Sequence, residues 1–368
     1  MKITIDRAVF ARAISELAPL TKKKTAIAIF DSIKFVTKGN KIRLQSTDGE
    51  MTIRKYIEAQ SIDVEDAFCV NGASLNAFIS KVKGDTLEMT IEDDIMKIKH
   101  KGGVAELKTI PIDGFVEPEK LGDEIQEINI PSDKFARLLN VAKNFVSSET
   151  IRPQICSIFV RVKDKELTMC ATDTRKMFVD KFVIDNLDSA IDTSFYITPN
   201  AFGDVLNACK GEGAICVKTT EKMVVYRIGP TTIFTLQPTG KYPNFERVIP
   251  QQHSIEVNLS KDDLSESLTR SAIFTEQSGL LKICVSNLSL DITAINYNNI
   301  SKSVETLTCT ANSGLEFGVN VVVFKSLIDA CEDKDVNMLL GGAALPIVIK
   351  DSANKERILL CMPMSINA

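Results

Sequence analysis

An apolar residue followed three, four and seven places later by further apolar residues marks one face of an amphipathic helix, and the chain carries this stripe six times. It runs through Phe10, Ala13, Ile14 and Leu17, through Leu75, Phe78, Ile79 and Val82, through Phe135, Leu138, Leu139 and Ala142, and through Phe202, Val205, Leu206 and Cys209. The fifth copy keeps Leu264 and Leu268 but has Ser267 and Ser271 at the other places, and the sixth is Phe324, Leu327, Ile328 and Cys331. The leading residues 10, 75, 135, 202, 264 and 324 are 65, 60, 67, 62 and 60 residues apart. Asp6, Asn71, Ser132, Thr198 followed by Pro199, and Ser260 stand where a side chain can cap the free N–H groups of a first helical turn.

Before each stripe lies a short alternating run (KITI, AFCV, EINI, SFYI, IEVN, EFGV), the pattern of a strand with one buried face. Further strand-like runs such as SIKFVTKG, KIRLQSTD, TLEMTIED and IMKIKHKG follow, separated by turn signals such as KGN, EDD and KGG. The unit is therefore strand, helix, then several antiparallel strands, repeated six times.

A second repeat has twice that period. CATDTRKMFVD at 170–180 is matched by QSTDGEM at 45–51 and, less closely, by TAINYN at 293–298. Thr47 and Thr172 are 125 residues apart, and Thr172 and Ile295 are 123 apart. This predicts an α+β chain of three tandem similar domains, each with two helices on antiparallel sheets: 1–122, 123–251 and 252–368, with joints near Leu121–Glu127 and Val248–His253. The Thr-Asp motif then reads as a strand end turning a corner, because Asp and Thr side chains bond nearby backbone N–H groups. A catalytic Asp173 would need a base, nucleophile or metal partner, and no such set is evident.

Composition narrows the function. The chain is 44% apolar and 25% charged with no Trp, so its cores are mostly aliphatic. A net charge of −4 excludes a protein coated in cations, though not a local basic surface. Nine Cys form no C-x-x-C pair, which argues against zinc and suits a reducing cytoplasm. No run approaches the ~18 apolar residues of a membrane span, and the first residues lack a signal-peptide pattern. The two His, His100 and His253, have no metal spacing; G-x-S-x-G, phosphate-loop and dinucleotide fingerprints are absent. GEGA at 211–214 suits a helix C-cap, and Asp262–Asp263 and Glu92–Asp93–Asp94 suit a helix start and a turn. No catalytic residue, metal or cofactor is expected. The exposed helix faces carry Arg7, Arg12, Lys81, Lys134, Arg137 and Lys210; the last third mixes Asp262, Asp263, Glu266, Asp329 and Glu332 with Arg270 and Lys325.

ATDTRKM at 171–177, KYPNFERVIP at 241–250, the closing MPM at 362–364 and the opening MKITIDRAVF together resemble the bacterial sliding clamp, the beta subunit of DNA polymerase III, over the whole chain. The resemblance implies the DNA clamp fold, with two subunits head to tail in a ring whose twelve helices line the hole. Twelve helices spaced by at least ~10 Å trace a circle of ~120 Å circumference and ~38 Å diameter; subtracting a helix radius of ~5 Å on each side leaves roughly 28 Å, enough for a duplex with a water layer. Implied partners are encircled double-stranded DNA, the polymerase III catalytic subunit, an ATP-driven clamp loader, and other polymerases and repair proteins that dock by short peptide motifs.

Carried over residue by residue, the peptide pocket comprises Ile155, Thr172, Thr174, Arg175, Met177, Pro243, Arg247, Val248, Asn320, Val323, Met362, Pro363 and Met364, aliphatic and Met walls with a few polar groups. DNA contacts implied on one ring face are Lys24 and the loop of Glu149, Arg152, Pro153 and Gln154, beside the helix cations Arg7, Arg12, Lys81, Lys134, Arg137 and Lys210. Ala73 and Glu149 replace polar or basic groups of some relatives. The dimer interface is Leu107 on one side and Ile273 with Phe274 on the other. The chain departs from the family in Thr174-Arg175-Lys176-Met177, where Gly-His-Arg-Leu is frequent, and in the four residues after the MPM. Two other readings are a peptide-binding β-rich scaffold never loaded on DNA, and an enzyme centred on Asp173.

Overall fold

The computed structural model describes residues 1–22, 28–100, 102–119, 126–185, 187–188, 190–211, 213–351 and 354–366. All six striped helices form: α1 (Arg7–Leu17), α2 (Gly72–Ile79), α3 (Ser132–Ala142), α5 (Phe202–Ala208), α6 (Lys261–Ala272) and α7 (Val321–Ala330). A short α4 (Pro153–Cys156), which periodicity does not announce, opens with Pro at its first turn. Most of the striped positions are buried, each large apolar side chain contributing about 1.5–3 kcal/mol. Phe78, Phe202 and Leu206 remain half-exposed. Ser267 and Ser271, the polar gaps in the fifth stripe, are fully buried all the same.

Asp6, Asn71 and Ser260 accept from the backbone N–H of Val9, Ser74 and Asp263, the capping their side chains predict. Asn320 caps α7 in the same way through Val323, a role the sequence pattern did not single out. The fourth helix differs from expectation: a 3₁₀ turn at Pro199–Ala201 precedes α5, whose N-cap Ala201 makes no side-chain bond. Gly211, just beyond α5, has φ +82°, the left-handed backbone that glycine supplies after a helix.

The strands follow one rule. The strand entering one helix pairs antiparallel with the strand leaving the next or previous helix. Lys2–Asp6 pairs with Thr86–Glu92 and Ala67–Asn71 with Ser32–Lys38. Gln126–Pro131 pairs with Ala214–Thr219 and Asp192–Ile197 with Ile158–Lys163. Ile255–Ser260 pairs with Asp335–Leu340 and Leu315–Asn320 with Leu280–Val285. Two neighbouring helical units thus exchange strands, three times along the chain.

By compactness the chain separates into two units, Met1–Ala136 with Asn200–Gln237, and Arg137–Pro199 with Pro238–Ala368. The first contains a 13-stranded sheet in which Thr231–Leu236 pairs with Met51–Glu58. The second contains a nine-stranded sheet, in which Ile358–Cys361 pairs with Lys176–Val183, and a four-stranded sheet.

Candidate functional site

The Thr-Asp motif is a corner built three times. Asp173 Oδ1 accepts from the N–H groups of Arg175 and Lys176, both at 2.8 Å, while Thr172 Oγ1 donates to Lys176 O at 2.7 Å. Asp48 accepts from Glu50 and Met51 at 3.1 and 2.8 Å, with Thr47 Oγ1 donating to Met51 O at 2.9 Å. In the third copy Asn296 Oδ1 accepts from Asn298 and Asn299 at 3.0 and 3.3 Å, one residue after the Ile295 that the repeat aligns with Thr172. Thr174 occupies the left-handed position, φ +77°, that Gly49 fills at +91° in the first copy. The Asp173 carboxylate is thus spent on backbone donors, as a turn residue's would be.

At the second corner several chain segments of the second compact unit meet. Strand Lys176–Val183 runs antiparallel to Ile358–Cys361, with Met177 opposite Leu360. The chain continues into the MPM segment, where Met362 N donates to Arg175 O at 2.9 Å and Met364 N to Gly318 O at 2.8 Å. A Cβ on Gly318 would stand 2.6 Å from Met364 O, so the tail lies against bare backbone. Gly318 leads to Asn320, which caps α7 and also donates to Ser278 O at 2.8 Å, with half-buried Val323 in the first turn. Below, Cys170, Met177, Val179, Phe245, Val348 and Leu360 form one apolar cluster.

The KYPNFERV segment is fastened over this cluster. Tyr242 stacks on Phe159 at 4.9 Å and donates to Cys170 O at 3.4 Å; burial pushes the Tyr242 phenol and the Cys170 thiol up. Gln154 donates to Thr239 O at 2.7 Å, and Arg161 pairs with Glu246 at 2.7 Å. Pro243, Arg247 and Val248 stand exposed around the buried Phe245, and Ile155 is buried. Thr174 and Arg175 are exposed, Thr172, Pro363 and Met364 half-buried, and Met362 is 41% exposed. The result is an apolar floor with an exposed Met, Val and Arg rim. Lys176, named in the sequence only as a departure from the family pattern, reaches Ser326 Oγ at 3.1 Å and lies 5.0 Å above the Phe145 ring. Burial lowers its pKa against the opposing charge of Asp173. Its place in the corner, one residue before Met177, is the signal that could have found it.

The positions expected to face DNA or a second subunit differ in exposure and in partners. Glu149 and Arg152 are exposed on the loop into α4, and Pro153 is exposed at its first position. Among the helix cations, Arg7 donates to Gly84 O at 2.8 Å, Arg12 meets Glu16 at 3.1 Å, Arg137 meets Glu332 at 3.8 Å, and Lys210 donates to Asn207 Oδ1 at 2.9 Å. Lys81 is exposed and Lys134 half-buried. Lys24 lies outside the described residues. Ile273 is 77% exposed at the end of α6, and Phe274 and Leu107 are half-buried. His100 Nδ1 accepts from Gly102 N in a turn, and among the described residues no group of His, Cys, Asp and Glu could hold a metal ion. No described helix is long and apolar enough to cross a membrane.

Known proteins agree with this architecture. A family model described as the DNA polymerase III beta subunit, N-terminal domain, matches residues 1–116, and its C-terminal domain model matches residues 246–365. Curated relatives named beta sliding clamp include those of Rickettsia bellii, 21% identical with all of both chains covered, and Bacillus subtilis, 21% identical with 99% of each covered. Among solved structures, a Pseudomonas aeruginosa sliding clamp bound to griselimycin superposes with a TM-score of 0.95 at 18% identity, covering 100% of both chains. The Thermotoga maritima beta subunit gives 0.91 at 18% identity, covering 99% of each. With one family matched at both ends and relatives spanning its full length, the chain belongs to the bacterial DNA polymerase III beta subunit, or beta sliding clamp, family.

Proposed function

We propose that this chain is a DNA sliding clamp: a non-catalytic processivity factor that encircles duplex DNA and tethers the replicative polymerase. One observation carries the reading. Twice within the chain, the last strand of one helical unit pairs with the strand that follows a Thr-Asp corner: Thr231–Leu236 with Met51–Glu58, and Ile358–Cys361 with Lys176–Val183. Each pairing joins one three-fold segment to the one before it. The same rule leaves one strand of each kind without such a partner. Ser301–Thr308, after the third corner, pairs only with Ser289–Asn296 among the described residues. Gly103–Ile110, last in the first segment, pairs with Ile95–His100 and touches Ala67–Asn71 only at its end.

Unpaired edges are templates for another strand. Both edges have eight residues, and both expose a Val, Val304 at 56% and Val104 at 59%. Lys302 on one and Glu106 on the other offer opposite charges. If Ser301–Thr308 of one copy pairs with Gly103–Ile110 of another, two copies continue the internal rule and close head to tail. Leu107 lies on the Gly103–Ile110 edge, and Ile273 and Phe274 follow α6, which packs on Ser301–Thr308. A closed ring holds DNA by topology, so weak contacts suffice. In this reading the domains are 1–122, 123–251 and 252–368, the pocket around Met177 and Met364 takes peptide motifs of polymerases, the clamp loader and repair proteins, and the chain works in the cytoplasm.

The test uses clamp loader, ATP and a nicked circular duplex, followed by linearisation. A clamp remains on the circle at high salt and leaves when ends are cut. A peptide-binding scaffold never loads, and a purely electrostatic binder leaves with salt from circle and linear DNA alike; either result overturns the reading.

A further inference from the structure

Two cations have their charge answered on the same helix: Arg12, one of those assigned to DNA, and Lys325 of the last third. On α1, Arg12 Nε lies 3.1 Å from Glu16 Oε1, while the other Glu16 oxygen takes the Lys55 ammonium. On α7, Lys325 Nζ lies 2.8 Å from Asp329 Oδ2. Both pairs are four residues apart, with the cation first. That order gains a helix less than a carboxylate followed by a cation, and it puts Glu16 and Asp329 in the last turn, where the helix dipole disfavours negative charge. Asp329 also accepts from Ser265 Oγ of α6 at 3.3 Å, a link between helices, but stability of its own helix does not account for either carboxylate. Lys81, by contrast, has no carboxylate partner among the described residues, and Lys210 bonds the neutral Asn207.

We infer that Glu16 and Asp329 limit DNA affinity: they neutralise Arg12 and Lys325 on the DNA-facing surface and so keep the number of phosphate contacts low enough for free sliding. This rests on the clamp reading. A phosphate approaching either cation must displace a carboxylate and meets its repulsion at contact range, where screening is weak. Each contact avoided is one fewer set of counterions released, and one fewer bond to break at each step along the duplex.

The experiment compares wild type, Glu16→Gln/Asp329→Asn and a charge-matched control, Glu88→Gln/Asp192→Asn. The control removes two carboxylates that face exposed Lys99 and Lys163 on strands, at 3.3 and 3.5 Å. Because Glu16→Gln would leave Lys55, only 9% exposed, without its carboxylate, Asp329→Asn alone is the second variant. Affinity for a linear duplex is measured by fluorescence anisotropy across salt concentrations, and every protein is also scored for retention on a closed circle. The slope of log K against log salt should steepen by about 0.9 for each freed cation that reaches a phosphate, in the double variant and in Asp329→Asn but not in the control. Unchanged slopes, or equal steepening in the control, overturn the inference while retention leaves the clamp reading standing. Loss of wild-type retention removes both together.

Discussion

Arg357 is fully buried, and its removal or that of its partner offers a sharp test of how the pocket is held. Its Nε lies 2.8 Å from Asp180, one Nη lies 2.8 Å from Glu332, and the other donates to Ala330 O at 3.0 Å with Asp351 3.7 Å away. Asp180 also accepts twice from Asn354, at 3.1 and 3.0 Å. Arg357 immediately precedes the strand Ile358–Cys361, and Asp180 follows Val179, the register partner of Ile358. The pair therefore pins the two strands whose continuation holds the MPM tail. Breaking a buried ion pair from one side costs about 3–5 kcal/mol because the other charge stays buried. Asp180→Ala leaves Arg357 its Glu332 contact, so about 3 kcal/mol is expected. A multi-domain chain does not unfold in two states, so the loss should be read locally. Amide exchange of Ile358–Cys361 should accelerate by roughly two orders of magnitude, at tenfold per 1.4 kcal/mol. Arg357→Met, which takes the cation away from Asp180 and Asp351, should cost at least as much. The double variant Asp180→Ala/Arg357→Met should cost less than the two singles combined, by about 1–2 kcal/mol. Exchange within threefold of wild type in both single variants would refute the pinning role.

Further outcomes follow from the same geometry. Ile273→Ala/Phe274→Ala should sediment as a monomer, and a dimer persisting at low concentration would move the interface elsewhere. Met364→Ala, or Gly318→Val, whose side chain would push against the Met364 carbonyl, should weaken binding of a polymerase-derived peptide by about 1–3 kcal/mol in calorimetry without changing sedimentation. Asn320→Ala should lose about 1 kcal/mol of stability with the α7 cap, and Asn320→Asp, which keeps an acceptor, should lose less. For Glu117, burial alone would raise the pKa, but hydrogen bonds from Lys34 and Gln45 and the charges of Lys34 and Arg43 outweigh it and hold the pKa below its ordinary 4.5. Its stabilisation is present above 4.5 and lost as pH falls through the lowered folded value. The advantage of wild type over Glu117→Gln in thermal melts should therefore shrink with acidification below 4.5, and a constant difference counts against the ion-pair account.

Much of the fold was legible because its signals are local. The helix stripe depends on residues within two turns, and the corners at Asp48, Asp173 and Asn296 depend on side chains reaching N–H groups two and three residues on. Even the thin fifth stripe held. Ser267 is buried with its hydroxyl donating to Glu305 at 3.1 Å, so its polarity is used, whereas buried Ser271 has no partner for its hydroxyl oxygen among the described residues, so small size suited that position. What stayed hidden is non-local. Neither alternation nor turn residues say that a strand will pair across the neighbouring unit, as Phe234 does with Thr52. Likewise Arg357 reads as an ordinary surface cation in KERILL until a carboxylate 177 residues away is brought to it.

The pocket combines both kinds of information, and that bears on its departures from the family pattern. Short motifs name the residues proposed for it, and the corner where several of them meet is fastened at separate points: Met362 and Met364 to backbone oxygens, Tyr242 to Phe159 and Cys170 O, Lys176 to Ser326 of α7. Thr174 takes a left-handed backbone for which glycine is the easier choice, at a cost of order 1 kcal/mol. Thr172 Oγ1 accepts from Thr174 N at 3.1 Å and the flanking N–H groups bond Asp173, which offsets that cost and keeps the corner rigid without glycine. Arg175 and Met362, joined through backbone and both exposed, then set the polarity and the width of the rim. Thr174→Gly should therefore leave peptide affinity near wild type and raise stability slightly, whereas Arg175→Ala should change which peptides bind best. If Thr174→Gly instead abolished peptide binding in calorimetry, the threonine would be making contact with the peptide rather than shaping the turn.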